Sequence, residues 1–330
     1  MRERFRNPVV VITGASSGIG RATALAFAER GAAVVLSARR EQPLRDVAAA
    51  CEQAGGKALV VPADVTNEAA VLEIARRAAE SFGRLDVWVN NAAVTLFGLF
   101  EQTPSEPYRR VIETNLFGYI HGARAALAQF RRQGSGVLIN VASMVSKIPE
   151  PYVSAYVASK HAIRGFSQSL RQELEVLHAR DIHVCTVMPA TIDTPLFQHA
   201  GNYTGRAPRA MPPVYPPERV ARAIVRLART PRREVYAGTS APQLALLSFL
   251  APGLAERLLA RSVDRLHLHH GRTAYATNGN LFTPMVEGTA ATGGWKPRRE
   301  RRLLRAAAVG LAALAPALLG FLWLRPRLSA

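Results

Sequence analysis

The stretch from Pro8 to Arg30 constrains the fold most. Pro8-Val-Val-Val-Ile-Thr13 is a continuous apolar run, the pattern of a strand covered on both faces. Thr13-Gly-Ala-Ser-Ser-Gly-Ile-Gly20 follows, and then Arg21 to Arg30, rich in Ala and Leu. The order is strand, glycine turn, helix. Gly14 permits the turn, while Gly18 and Gly20 leave room for a phosphate and for close packing of the helix. The helix start offers unbonded N–H groups and the positive end of its dipole to a pyrophosphate.

The alternation continues. Strands are predicted over Ala33 to Ala38, Ala58 to Pro62, Leu85 to Asn90, Val137 to Val141, His183 to Met188 and Arg233 to Ala237. Helices are predicted over Pro43 to Ala54, Asn67 to Phe82, Pro107 to Arg132, Ser154 to His178 and Glu218 to Arg229. Strands alternating with helices argue for an α/β fold: a parallel sheet with right-handed crossovers and helices on both faces. The second strand ends at Ser37-Ala38-Arg39-Arg40, where an acidic residue would bind a ribose 2′-hydroxyl. Arg39 suits a 2′-phosphate instead, so NADP(H) is favoured over NAD(H). Asp64, after the third strand, can accept a hydrogen bond from an adenine amino group. After the fourth strand, small residues beyond Asn91 let the backbone pass close to a cofactor, or Asn91 serves as a turn brace.

Tyr156-Val-Ala-Ser-Lys160 carries the chemistry. In a helix the phenol and the ammonium share one face, one turn apart. A unit charge near 4 Å is worth about 4 kcal/mol at an effective dielectric of ~20, which lowers a phenol pKa by up to ~3 units. With 8 Tyr and 4 Lys in the chain, chance supplies about 0.1 such pairs. Ser143 ends the fifth strand, at the edge where α/β sheets bind ligands. Asn115 sits inside a predicted helix despite poor propensity, which asks for a reason.

The set Thr13-Gly-x3-Gly18-x-Gly20, Asn90-Asn-Ala, Asn115, Ser143, Tyr156-x3-Lys160 and Pro189-x4-Thr194 resembles the short-chain dehydrogenase/reductase family over roughly residues 8–240. The resemblance implies a doubly wound Rossmann fold with seven parallel strands in the order 3-2-1-4-5-6-7, in a homodimer or homotetramer. It implies hydride exchange with a carbonyl carbon and Tyr156 as the acid or base. Lys160 would lower the Tyr156 pKa and bind the nicotinamide ribose, and Ser143 would hold the carbonyl oxygen. Asn115 would open its helix and hold a water that relays protons to Lys160. Gly14, Ser16, Gly18, Ile19, Gly20, Arg39, Asp64, Val65, Asn91, Pro189, Ile192 and Thr194 would line the cofactor. Ala93 and Ala190 stand where the family usually has Gly, each adding a methyl near the cofactor.

Residues 1–238 are thus expected to form the catalytic domain, with a substrate lid over 191–217. The lid's Leu196, Phe197, Tyr203, Met211 and Tyr215 suggest an apolar pocket wall or ordinary packing at its base. Residues 239–302 form an extension: an apolar run from Gln243 to Leu250, a helix from Leu254 to Leu266, and a loop from Gly271 to Gly294. His267, His269 and His270 read as a surface cluster, because no cysteine completes a set, and no metal is expected. Cys51 and Cys185 lie far apart and read as buried thiols in a reducing compartment.

The net charge of +18 has no aromatic-interleaved basic stripe behind it, so nucleic acid is not an expected partner. Ala306 to Leu324 carries no charge, and as a helix it would approach the ~30 Å of a hydrocarbon core. Residues 303–324 are therefore read as a transmembrane helix with a tail at 325–330. The basic residues of Lys296 to Arg302 would keep the catalytic domain cytoplasmic. A soluble cytoplasmic protein with that helix docked is the alternative. Tethering favours a lipophilic small-molecule carbonyl or alcohol. The other readings are a non-catalytic NADP(H)-binding scaffold at a membrane, and an epimerase or dehydratase on the same sheet.

Overall fold

The first strand, β1 (Val9–Thr13), is buried along its whole length. Val10 and Ile12 face one core, Val9 and Val11 the other. This is the period of 2 expected of a strand, read here with apolar residues on both sides. β1 pairs in parallel with β2 (Ala33–Ser37) on one side and β4 (Val87–Asn90) on the other. In the computed structural model, residues 7–238 and 248–295 are described. The main sheet is completed by β3 (Lys57–Val60), β5 (Gly136–Val141), β6 (Ile182–Pro189) and β7 (Glu234–Ala237). All its pairings are parallel, and its order in these labels is 3-2-1-4-5-6-7.

Helices α1 (Gly18–Ala28), α2 (Glu41–Gln53) and α7 (Pro217–Arg229) cover one face through Phe27, Leu44 and Ile224. On the other face α3 (Glu68–Phe82), α5 (Gly118–Gln133) and α6 (Ser154–Val176) pack Ile74, Phe130 and Leu170. A buried polar chain fixes α5 and α6 to the sheet. Trp88 Nε1 donates to Asn90 Oδ1 at 2.7 Å, and Asn90 Nδ2 donates to Tyr119 O at 3.1 Å and Asn140 Oδ1 at 2.9 Å. Asn140 Nδ2 then donates to Ser167 Oγ at 2.9 Å. Each buried amide thereby finds the partner that burial demands.

The helix expected over Pro107 to Arg132 is three pieces. α4 (Ser105–Ile112) widens into a π turn at Glu113–Phe117 before α5 begins. Asn115 lies in that turn and is fully buried.

The segment from 191 to 217 is tied down at two places. Gly201–Asn202 runs parallel to Leu96–Phe97, and Arg206–Pro208 pairs antiparallel with Leu268–Thr273. The latter strand corrects the expected loop at Gly271: its residues are held by the lid across an antiparallel ladder. α8 (Pro252–Leu266) precedes it, and Arg209 closes the end of α8 by donating to Leu266 O at 2.8 Å and Arg265 O at 2.7 Å. Met1–Trp295 forms one compact unit. Among the described residues no helix is long and apolar enough to cross a membrane. The expected span at 303–324, the tail and the basic run from Lys296 to Arg302 lie outside the described residues.

Candidate active site

The site begins at the turn between β1 and α1. Gly14 and Gly18 take positive φ angles of 68° and 55°. A Cβ on Gly20 would lie 2.2 Å from Gly14 O, and one on Gly14 would lie 2.8 Å from Ala92 Cα. Only glycine allows this approach. The turn therefore shows main-chain amides rather than side chains to whatever lies along the start of α1, a surface that fits a pyrophosphate. Ser16 is buried at this turn and Ile19 packs on the core behind it. Asn91 acts as a brace: its Nδ2 donates to Thr13 O at 2.9 Å and Gly14 O at 3.2 Å. Thr13 Oγ1 accepts from Asn91 N at 3.0 Å, so β1 and β4 hold the turn from both sides.

Past β2, Arg39 and Arg40 stand side by side. Arg40 Nη2 reaches Ser16 Oγ at 3.5 Å, which places the pair beside the glycine turn. Asp64 is already engaged, its Oδ2 accepting from Arg110 Nη2 at 2.6 Å and its Oδ1 from Thr66 N at 3.0 Å. Burial pushes its pKa up, but these hydrogen bonds and the Arg110 charge outweigh it and hold Asp64 below its ordinary value. Val65 is buried against the start of α5, where a Cβ on Gly118 would lie 2.7 Å from Val65 Cγ2. At the far end Pro189 closes β6, and Ile192 packs into the core. Thr194 faces the glycine turn, 3.3 Å from where a Gly18 Cβ would be. The methyl of Ala190 is accommodated because Gly238 faces it; a Cβ there would lie 2.5 Å from Ala190 Cβ.

Tyr156 and Lys160 lie one turn apart on α6, as helical spacing requires. Tyr156 hydrogen-bonds with Ser143, which caps the short turn after β5 by accepting from Val145 N at 3.3 Å. Lys160 Nζ is 5.4 Å from the Tyr156 ring centroid and donates to Val141 O at 2.9 Å. Asn115 joins from the π turn. Its Nδ2 donates to Val94 O at 3.0 Å and Ser159 Oγ at 3.1 Å, and its Oδ1 accepts from Val94 N at 2.9 Å. The side chain is thus spent on holding the β4 exit against α6.

Burial overrides the simple charge argument at this pair. It pushes the Tyr156 phenol up to about 12, against the downward pull of the Ser143 hydrogen bond and with a further push from Glu150. It also lowers Lys160 to about 7. The expected lowering of Tyr156 by Lys160 does not hold in this geometry, because a lysine that burial half-discharges near neutrality offers little field.

Three residues escaped the sequence reading. Tyr119 donates to Val141 O at 2.9 Å and receives Lys160 Nζ at 3.4 Å. Its spacing of four from Asn115 was the available signal. His267 is buried, which corrects its place in a surface cluster. Its ring meets Phe97 and Phe197 edge-on at 5.0 and 5.2 Å, and its Nδ1 donates to Arg209 O at 2.6 Å. Burial holds it down at about 4. Glu150 Oε2 lies 4.0 Å from His267 Nε2, and burial pushes that carboxyl up to about 7. Nothing local in sequence links Glu150 to a histidine beyond α8. Phe97, Phe197 and Tyr152 pack with Tyr156 in one apolar cluster.

Residues 8–203 match the family model described as short chain dehydrogenase. The chain belongs to the short-chain dehydrogenase family. An uncharacterized oxidoreductase, YxnA of Bacillus subtilis, is 41% identical over 78% of this chain and 73% of its own. Dehydrogenase/reductase SDR family member 7B of Bos taurus is 35% identical over 79% of this chain and 82% of its own. The 11-beta-hydroxysteroid dehydrogenase A of Sesamum indicum is 36% identical over 68% of this chain and 67% of its own. Among solved structures, an alcohol dehydrogenase from the archaeon Thermococcus sibiricus, complexed with 5-hydroxy-NADP, superposes with a TM-score of 0.61 at 29% identity. That match covers 69% of this chain and 95% of the other. The protein is thus an oxidoreductase of the short-chain dehydrogenase type, a family that uses nicotinamide cofactors on small molecules.

Proposed function

We propose that this protein interconverts a carbonyl and an alcohol with NADP(H), on a substrate with an apolar body. The observation that carries this reading is the hydrogen bond between Tyr156 and Ser143, with Lys160 one turn along the same helix. A bound nicotinamide dinucleotide supplies the hydride for the carbonyl carbon, or receives it in reverse. The Ser143 hydroxyl donates to the carbonyl oxygen and orients it. Tyr156 passes its phenolic proton to that oxygen as charge develops there. With its pKa near 12 the phenol is protonated at neutral pH, which is the form reduction requires. Lys160, near 7, exchanges a proton readily at neutrality and can reprotonate the phenol through a relay. Asn115 positions this helix face through Ser159.

Arg39 and Arg40 support NADP(H) over NAD(H), since two guanidinium groups stand just past the end of β2, where a 2′-phosphate would lie. The apolar cluster of Phe97, Phe197 and Tyr152 beside Tyr156 supports a lipophilic substrate. The uncharged run from Ala306 to Leu324 is given the role of membrane anchor on its sequence alone, which fractionation with and without residues 303–330 tests.

Tyr156→Phe is the direct experiment. Turnover of a lipophilic ketone, followed by NADPH fluorescence, should fall at least ~10²-fold while NADPH binding persists. Undiminished turnover would remove Tyr156 from the chemistry.

A further inference from the structure

Residues 278–295 run the length of the groove beside the glycine turn. Gly279 turns the chain in at a φ of 52°, where a Cβ would lie 2.3 Å from His199 O. Leu281 is fully buried among Val94, Leu96, Val111 and Ala155. From there the carbonyl oxygens meet the groove's cations in sequence. Arg39 donates to Asn280 O at 2.6 Å, Phe282 O at 3.1 Å and Leu281 O at 3.2 Å. Arg40 donates to Met285 O at 2.6 Å and Glu287 O at 3.0 Å. Arg21 donates to Thr289 O at 3.0 Å, and the Gly18 N–H at the start of α1 donates to Ala290 O at 3.1 Å. The far end is pinned near Thr194: Gly293 N and Trp295 N each donate to Asp193 Oδ1 at 2.9 Å, and Trp295 Nε1 donates to Thr194 O at 3.0 Å.

We propose that residues 278–295 are an autoinhibitory strap that competes with the dinucleotide for these donors. The inference rests on the dinucleotide reading of the groove given above. Gly18 has one N–H, and Ala290 O takes it. The Arg39 and Arg40 guanidinium groups are engaged by six carbonyl oxygens, counting Val286 O. A phosphate oxygen makes stronger charge-assisted bonds to the same donors than a neutral carbonyl does. The strap offsets this by being tethered at both ends, which gives it a high effective concentration. Dinucleotide binding therefore requires the strap to lift, and apparent affinity scales with the fraction of molecules in which it has lifted.

The test uses the full chain, with NADPH binding followed by fluorescence titration and stopped flow. Trp295→Ala removes the indole bond to Thr194 O and the ring packed on Phe197, which loosens the pinned end while the main-chain bonds to Asp193 remain. Leu281→Ala removes the buried anchor; thermal melts check that both fold. Both should bind NADPH about fivefold or more tightly than the wild type and with a faster on-rate. In the wild-type chain, NADPH should speed limited proteolysis within 283–292, a readout that needs no variant. Weaker binding in the variants together with NADPH protection of 283–292 would overturn the strap and make the segment a clamp over bound cofactor. Unchanged affinity and unchanged cleavage would overturn it as well, while leaving the dinucleotide reading intact. Failure of wild type and variants alike to bind NADPH or NADH would overturn the dinucleotide reading and the strap with it.

Discussion

Lys160 is a residue whose surroundings oppose its charge. Its Nζ is buried, and the acceptors in reach are the Val141 carbonyl and the Tyr119 hydroxyl, which a neutral amine serves as well as an ammonium. The folded pKa is about 7, against about 10.4 in an unfolded chain. A depressed pKa contributes stability that is present above the unfolded value and is lost as pH falls through the folded one. The wild type should therefore gain stability over Lys160→Met as pH rises from about 7 to about 10, checked by urea melts across that range. A constant difference would mean that Nζ keeps its charge. Arg39 is the other residue to test. Arg39→Asp puts a carboxylate where a 2′-phosphate is proposed, and preference should shift toward NADH by about tenfold or more in kcat/KM. The residue types at both positions were legible in the sequence. The direction of the Tyr156 shift was not, because the depth of burial is a property of the packed core.

At the scale of elements, the π turn at Glu113–Phe117 and the polar chain from Trp88 to Ser167 set α6, the helix of Tyr156 and Lys160, against the sheet. Asn115 announced some irregularity by its poor helix propensity, but the widened turn needed Val94 and Ser159 as partners from two other elements. Gly122 had no such signal. A Cβ there would lie 2.1 Å from Asn90 Oδ1 and 2.7 Å from Trp88 Nε1. Gly122→Ala should therefore destabilise the protein by about 1–3 kcal/mol despite the better helix propensity of alanine. Chemical denaturation measures this, and a stabilised variant would show that α5 can shift without cost.

Across the whole molecule, the sheet should dominate stability. β1 and β4 lie at its middle with both faces covered, so their amides should be the last to exchange with deuterium. The Leu268–Thr273 ladder, largely exposed, should exchange much earlier. Mass-resolved exchange would reveal the reverse order if the extension were the stable part. Apolar runs, glycine spacing and strand–helix alternation are local patterns, and they determined the parallel sheet and its seven strands and put Ser143, Tyr156 and Lys160 forward as a candidate set. Three outcomes were left to tertiary structure: the burial of His267 beside Glu150, the protonation of the Tyr156–Lys160 pair, and the docking of residues 278–295 along the groove. Each depends on atoms more than a hundred residues apart, or on a dielectric that exists only once the core has closed. A one-dimensional pattern carries neither.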